Sequence, residues 1–322
     1  MHRIATRILT CAALIAAPLA THAASACDQA TVRFVVPFPA SGSSADLLGR
    51  SLASALSKIW NKSVVVDNRS GGGQVIGTQA IAGAKGDGCT LGLITSALSL
   101  NPSLMKGKLP YDSVKDIRPA IRLVDLPLGI FTLSSSPIKT MADLQKAAAS
   151  RELTYGTPGV GSMPHLAGAL MSTRLPANLR HVPYRGLPAA KVDLLAGQID
   201  MIIGAVSTEV ASVKAGDLRL VAVLSEKRFP EFPNVPTVAE QHQNLTVTDY
   251  FGVAVPAAMT PQALSSLYQD VTEAMRSPEV TSRLAAMKLD IAKDEPGALA
   301  ARVVSDMGWM SDLVAKTGMS VE

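Results

Sequence analysis

The chain has 322 residues, 48% of them apolar and 17% charged, with a formal net charge of +4. That balance excludes a disordered chain, and the length suits two domains of ordinary size. Lysine and arginine are scattered and aromatic residues make up 4%, so no nucleic-acid partner is expected.

Residues 1–26 read as a secretory signal peptide. Arg3 and Arg7 form its basic start, Ile8 to Leu19 is apolar but short for a bilayer span, and Ala24-Ser25-Ala26 offers a cleavage site. The mature protein is therefore expected in the periplasm. Cleavage removes Arg3, Arg7 and Cys11, which lowers the formal charge from +4 to +2 and leaves Cys27 and Cys89. Two cysteines in an oxidising compartment usually pair. Each of them just precedes a strand, so the sulfurs meet if those strands lie side by side. The alternative is lipidation of Cys27, because Ala-Ser-Ala-Cys loosely resembles a lipobox.

Val32 to Val36 is rich in β-branched and aromatic side chains and reads as a buried strand. A Pro/Ser/Gly loop follows. Leu47/Leu48, Leu52, Ala55/Leu56 and Ile59 then recur at helical spacing. Small residues from Ser41 to Ala45 leave the first helical turn's amides uncovered, and those amides carry the positive end of the helix dipole. Such a turn seats a carboxylate or phosphate. A second strand, Ser63 to Asp67, leads into Asn68-Arg69-Ser70-Gly71-Gly72-Gly73-Gln74 and a helix from Val75 to about Ala84. The glycine triplet matches neither a dinucleotide fingerprint nor a Walker loop. It reads as a flexible turn or as a place where backbone approaches a ligand. Strand Thr90 to Thr95 ends at Ser96, and Asn101-Pro102 reads as a further turn. Pro110 to Pro119 connects to two apolar stretches, Ala120 to Val124 and Leu128 to Leu133, broken by Asp125-Leu126-Pro127. The first crossing between domains is placed there.

The strand–loop–helix plan then repeats: a helix from Thr140, strand Leu153 to Gly156, a Gly/Ser loop and a helix from His165. Strand Arg180 to Pro183 leads through Tyr184-Arg185-Gly186 to a helix ending near Leu195. Strands Ile199 to Ile203 and Leu218 to Leu224 complete this sheet. Pro230 to Pro236 is a rigid connector before a short helix at Val238 to Gln241, and Tyr250 to Val255 reads as a strand returning to the first unit. From Thr260-Pro261 the chain is helical, broken at Ser277-Pro278 and Pro296-Gly297, with Thr260 and Ser277 as N-caps. The expected organisation is α/β: two doubly wound lobes joined by two crossings, with the C-terminal helices packed on the first. Lobe 1 is expected over 27–124 plus 246–322 and lobe 2 over 125–245.

No Gly-x-Ser-x-Gly elbow is present, and His165, His181 and His242 lack zinc-ligand spacing. Neither an enzyme nor a cofactor is implied. Instead Ser41 to Ala45, Gly71 to Gln74 and Gly159 to Met163 offer neutral N–H and hydroxyl donors. They would hold a carboxylate by charge-assisted hydrogen bonds without a buried arginine. Asp46 is read as bracing the first loop through backbone amides, or as a favourable charge in a first helical turn. Asp200 is read as reaching a ligand ammonium or capping a loop.

Several ordered stretches carry a resemblance: Val36-Pro37-Phe38-Pro39, Asp67-Asn68-Arg69-Ser70-Gly71, Asn101-Pro102, Leu109-Pro110-Tyr111-Asp112, Tyr155 to Gly159 with His165 to Gly168, His181 to Gly186, Leu194 to Asp200 and Val235 to Glu240. Across the mature chain the sequence resembles the periplasmic solute-binding proteins of tripartite tricarboxylate transporters, the Bug or TctC family. The resemblance implies a two-lobe, type II-like periplasmic-binding-protein fold closing on a small carboxylate, with membrane transporter subunits as partners and the receptor a monomer. It also implies ligand contacts from the first strand–helix loop of each lobe. Together with the seats read above, the candidate ligand residues are Phe38, Pro39, Ala40, Ser41, Gly42, Ser43, Ser44, Asp46, Gly72, Gly73, Gln74, Ser96, Thr157, Gly159, Val160, Gly161, Ser162, His165 and Asp200. Two other readings are a secreted hydrolase using Ser162 or Ser44 with His165, and a receptor that signals to a membrane sensor.

Overall fold

The computed structural model describes residues 27–40, 43–241 and 245–320. The expected signal peptide with Cys11, and also Ser41, Gly42 and His242, lie outside them. Strand β1 (Thr31–Val36) feeds α1 (Ser44–Trp60), whose Leu48, Leu52 and Leu56 are fully buried on one face. The Ser43 side chain caps α1 by accepting the Asp46 amide, and Asn61 ends it in a left-handed conformation. Then come β2 (Ser63–Asn68), a 3-10 turn at Gly72–Gln74, α2 (Val75–Ala82), β3 (Thr90–Ile94) and α3 (Ala97–Leu104). The long strand β4 (Ile117–Leu133) is followed by α4 (Met141–Ser150), β5 (Leu153–Thr157), α5 (Met163–Arg174), β6 (Leu179–Pro183), α6 (Leu187–Leu195), β7 (Met201–Ala205), α7 (Val206–Ala215) and β8 (Leu218–Val223). Strand β9 (Thr248–Pro256) precedes α8 (Pro261–Met275), α9 (Pro278–Met287) and α10 (Ala298–Thr317).

The strands share one nine-stranded sheet in the order β2-β1-β3-β9-β4-β7-β5-β6, with β8 also on β4. The β2-β1-β3 group is parallel, as is β6-β5-β7, and β9 is antiparallel to both β3 and β4. Because β1 and β3 are neighbours, Cys27 and Cys89 meet and are disulfide-bonded, with Cα atoms 4.9 Å apart. Cys27 is therefore not free for a lipid. Each group of strands has its own buried cluster: Phe34, Leu52, Val271 and Leu284 join β1, α1, α8 and α9, while Leu144, Leu166, Met171 and Ile203 join α4, α5 and β7.

Four expectations are corrected. The break at Asp125-Leu126-Pro127 is absent, because β4 runs unbroken, pairing with β9 over 117–127 and with β7 and β8 over 128–133. Pro119 lies inside it at a register shift, where a missing N–H is tolerated. Asn101-Pro102 lies inside α3, since burial of Leu98, Leu100 and Leu104 outweighs proline's helix-breaking tendency. Val238 to Gln241 is a single turn, held by reciprocal Thr237–Glu240 bonds of 3.2 Å. Lastly, α10 does not stay with the first group of strands: Leu299 and Val303 pack near Tyr250, whereas Met310, Leu313 and Val314 pack with Leu166 and Met171. Helix α7 went unread, because Val206-Ser207-Thr208 has low helix propensity.

Candidate functional site

All six parallel strands end toward one region, where open α/β sheets place ligands. The loop after β1 is built on Phe38, whose ring meets Phe251 edge-on at 6.2 Å. Pro39 and Ala40 are exposed, while Ser43 and Ser44 begin α1. Asp46 is 3% exposed and braces this loop, with side-chain partners on two elements. It accepts from Asn68 Nδ2 at 3.0 Å and pairs with Arg50 at 3.0 Å, and the same Asn68 amide reaches the Phe38 carbonyl at 3.0 Å. Asp46 is therefore a support for the loop, buried beneath the seat.

The glycine triplet opens a turn of four successive residues with positive φ. Gly71, Gly72, Gly73 and Gln74 have successive φ values of 127°, 57°, 62° and 76°. Three glycines accept this readily; Gln74 does so with its Oε1 accepting from Thr95 Oγ1 at 2.9 Å. Asn101 Nδ2 holds the Gly73 carbonyl at 3.0 Å. A Cβ placed on Gly73 would lie 4.0 Å from the Val160 carbonyl, and one on Gly161 would lie 3.0 Å from Leu104 and 3.9 Å from Asn101 Oδ1. The turn after β2 and the loop after β5 thus face one another across Asn101.

In the loop after β5, Ser162 caps α5: it accepts the His165 amide at 3.4 Å and donates to the Gly159 carbonyl at 2.7 Å. The Gly161 amide donates to His165 Nδ1 at 3.4 Å. His165 and His181 stack with centroids 3.8 Å apart, and Thr157 Oγ1 lies 2.6 Å from His181 Nε2. Burial lowers His165 to about 4; burial, then the neighbouring His165, lowers His181 to about 3. Both rings are neutral at neutral pH. No described hydrogen bond links the His165 ring to Ser162 or Ser44, so the geometry of an activated nucleophile is not formed.

Two candidates leave the set. Asp200 sits at the start of β7, the far end of the sheet from the Thr157 loop. It is held there by Arg151 at 2.6 Å and by the Thr154 amide and hydroxyl at 2.8 and 2.9 Å. Ser96 is 1% exposed and commits its hydroxyl to Asp249 Oδ1 at 2.6 Å. Asn68, Thr95, Asn101 and His181 shape the site without having been read as site residues, although Asn68, Asn101 and His181 lie in stretches that carried the resemblance. A further groove of about 710 Å³ opens beside β4, between residues 225–230 and 288–293, with Met163 at the start of α5 also in its lining. Its arginines are already paired: Arg122 with Asp125 and Asp294, Arg228 with Glu240, and Arg302 with Asp125 and Asp306.

A parallel-sheet site of capped helix starts, shared between two groups of strands, defines a solute-binding protein of the periplasmic type. Solved structures agree. The R. palustris protein Rpa4515, solved with adipate, is 28% identical, with a TM-score of 0.81 over 90% of this chain and 98% of that one. The periplasmic binding protein BugD is 27% identical, with a TM-score of 0.79 over 91% and 99% of the two chains. By sequence, Protein BugT of Bordetella pertussis (strain Tohama I) is 31% identical over 296 residues, 90% of each chain. The pattern of the tripartite tricarboxylate transporter family receptor, TctC, matches residues 48–316. The chain belongs to that family, whose members are solute-binding receptors and not enzymes.

Proposed function

We propose that the protein is an extracytoplasmic receptor that closes on a small carboxylate between the loops after β1 and β5 and delivers it to a tripartite tricarboxylate-type membrane transporter. The observation that carries this reading is the pair of serine-capped helix starts, Ser43 on α1 and Ser162 on α5, in a receptor of this family. First-turn amides and glycine-turn amides are neutral donors, so they hold an anion strongly enough for capture yet allow release. The adipate in the R. palustris relative supports the ligand class. In this reading the strand groups β2-β1-β3 and β6-β5-β7 move about β4 and β9, with α10 spanning them, and residues 1–26 direct export. The protein acts as a monomer without a cofactor.

The test is a thermal-shift screen of protein unfolded and refolded to strip carried-over ligand. A ligand at 100 times its Kd stabilises by about 2.7 kcal/mol, which is a few degrees for a chain of this size. At least one small carboxylate should raise Tm by that amount while its primary amide does not. A broad panel without any shift would overturn the reading.

A further inference from the structure

Asp249 stands near the start of β9, beside Ser96 just past the end of β3, although nothing in the sequence marked it. Alternate residues of a strand share a face, so Asp249 projects on the same side of β9 as Phe251. Phe251 carries Phe38 of the first loop edge-on, which places the Asp249 carboxyl beside the base of that loop. From β3, Ser96 fixes its Oδ1 through the hydroxyl at 2.6 Å and the amide at 3.3 Å, and the Tyr250 amide adds a third bond at 2.8 Å. The other oxygen, Oδ2, has no hydrogen-bond partner among the described residues, and Asp249 keeps a partly exposed edge. Arg302, whose charge acts on Asp249, is engaged elsewhere: by the Thr248 carbonyl at 3.0 Å, by Asp125 and Asp306, and over the Tyr250 ring at 4.8 Å.

A carboxylate on the strand face that meets a carboxylate-binding loop is an electrostatic conflict, because two like charges in a partly desolvated site disfavour each other. Burial already pushes the Asp249 carboxyl above the usual range. A cationic nitrogen on the ligand removes the conflict and fills the vacant acceptor at Oδ2. Building on the receptor reading above, we propose that Asp249, positioned by Ser96, is a specificity-determining residue that accepts the ammonium group of an amino carboxylate.

The test is isothermal titration of the refolded mature chain with matched pairs: L-aspartate and succinate, L-glutamate and glutarate, L-2-aminoadipate and adipate. In at least one pair the amino member should bind about tenfold more tightly or better, the scale of a hydrogen bond to a charged group. Asp249→Asn, which keeps the shape and drops the charge, should bring that ratio close to one by weakening the amino member, and Ser96→Ala should do so in part. A wild-type ratio at or below one in every pair, or an unchanged ratio in Asp249→Asn, overturns the inference. If that variant fails to fold, the wild-type ratio decides alone. Binding of the des-amino members only would overturn this inference and leave the receptor reading intact, whereas failure of every carboxylate would overturn both.

Discussion

His165 and His181 make the protein's stability depend on pH in a calculable direction. An unfolded chain protonates its histidines near pH 6.5, whereas the stacked rings resist protonation down to about 4 and about 3. Below pH 6.5 the unfolded state therefore binds more protons, and stability falls as pH drops through that window. The urea midpoint should fall between pH 7 and 5, and a His165→Gln/His181→Gln double variant should show a flatter profile. Equal slopes would contradict the assignment. Asp46 shows how far residue-level reading reaches. Its place in a first helical turn was legible from spacing, and so was a bracing role. Its partners Asn68 and Arg50 were only half so: Arg50 follows at i+4, but Asn68 arrives from β2, and adjacency of strand ends is a tertiary fact. Asp249 was illegible for the same reason, since its meaning depends on β9 lying against β3.

Among the elements, α10 does the least expected thing. Its 20 residues start against Tyr250 and end among the side chains of α5, so one helix spans the two groups of strands. Met310 is fully buried in the second group. Met310→Ala should cost about 2–5 kcal/mol in chemical denaturation, the usual range for such a truncation, and a cost within about 0.5 kcal/mol would contradict the packing. Strands and helices with strong periodicity, such as β1, α1 and β3, were legible with near-correct ends. The errors fell where local chemistry competed with burial. Pro102 and Pro119 are breakers by composition, yet they sit inside α3 and β4 because the surrounding apolar residues are held by neighbours. The Val238 to Gln241 turn has a helix-start pattern in Thr237 and Glu240, but the chain leaves after one turn.

At the scale of the whole molecule, the parallel arrangement of β1 and β3 turns two cysteines 62 positions apart into a cross-link. Closing a loop of that length stabilises by about 4 kcal/mol in the chain-entropy model. Reduction under mild denaturant should lower Tm by on the order of 10 °C, and Cys27→Ser/Cys89→Ser should match the reduced protein. An unchanged Tm would show that the bond contributes nothing.

The central claim, that capped loops from both groups of strands grip one carboxylate, is tested most directly by amide hydrogen exchange. The refolded protein would be compared with and without the carboxylate that gives the largest thermal shift. The account predicts slowed exchange in peptides covering residues 43–47, 71–76 and 158–166 together. Protection confined to one of these loops, or to residues 225–230 and 288–293 beside β4, would contradict it.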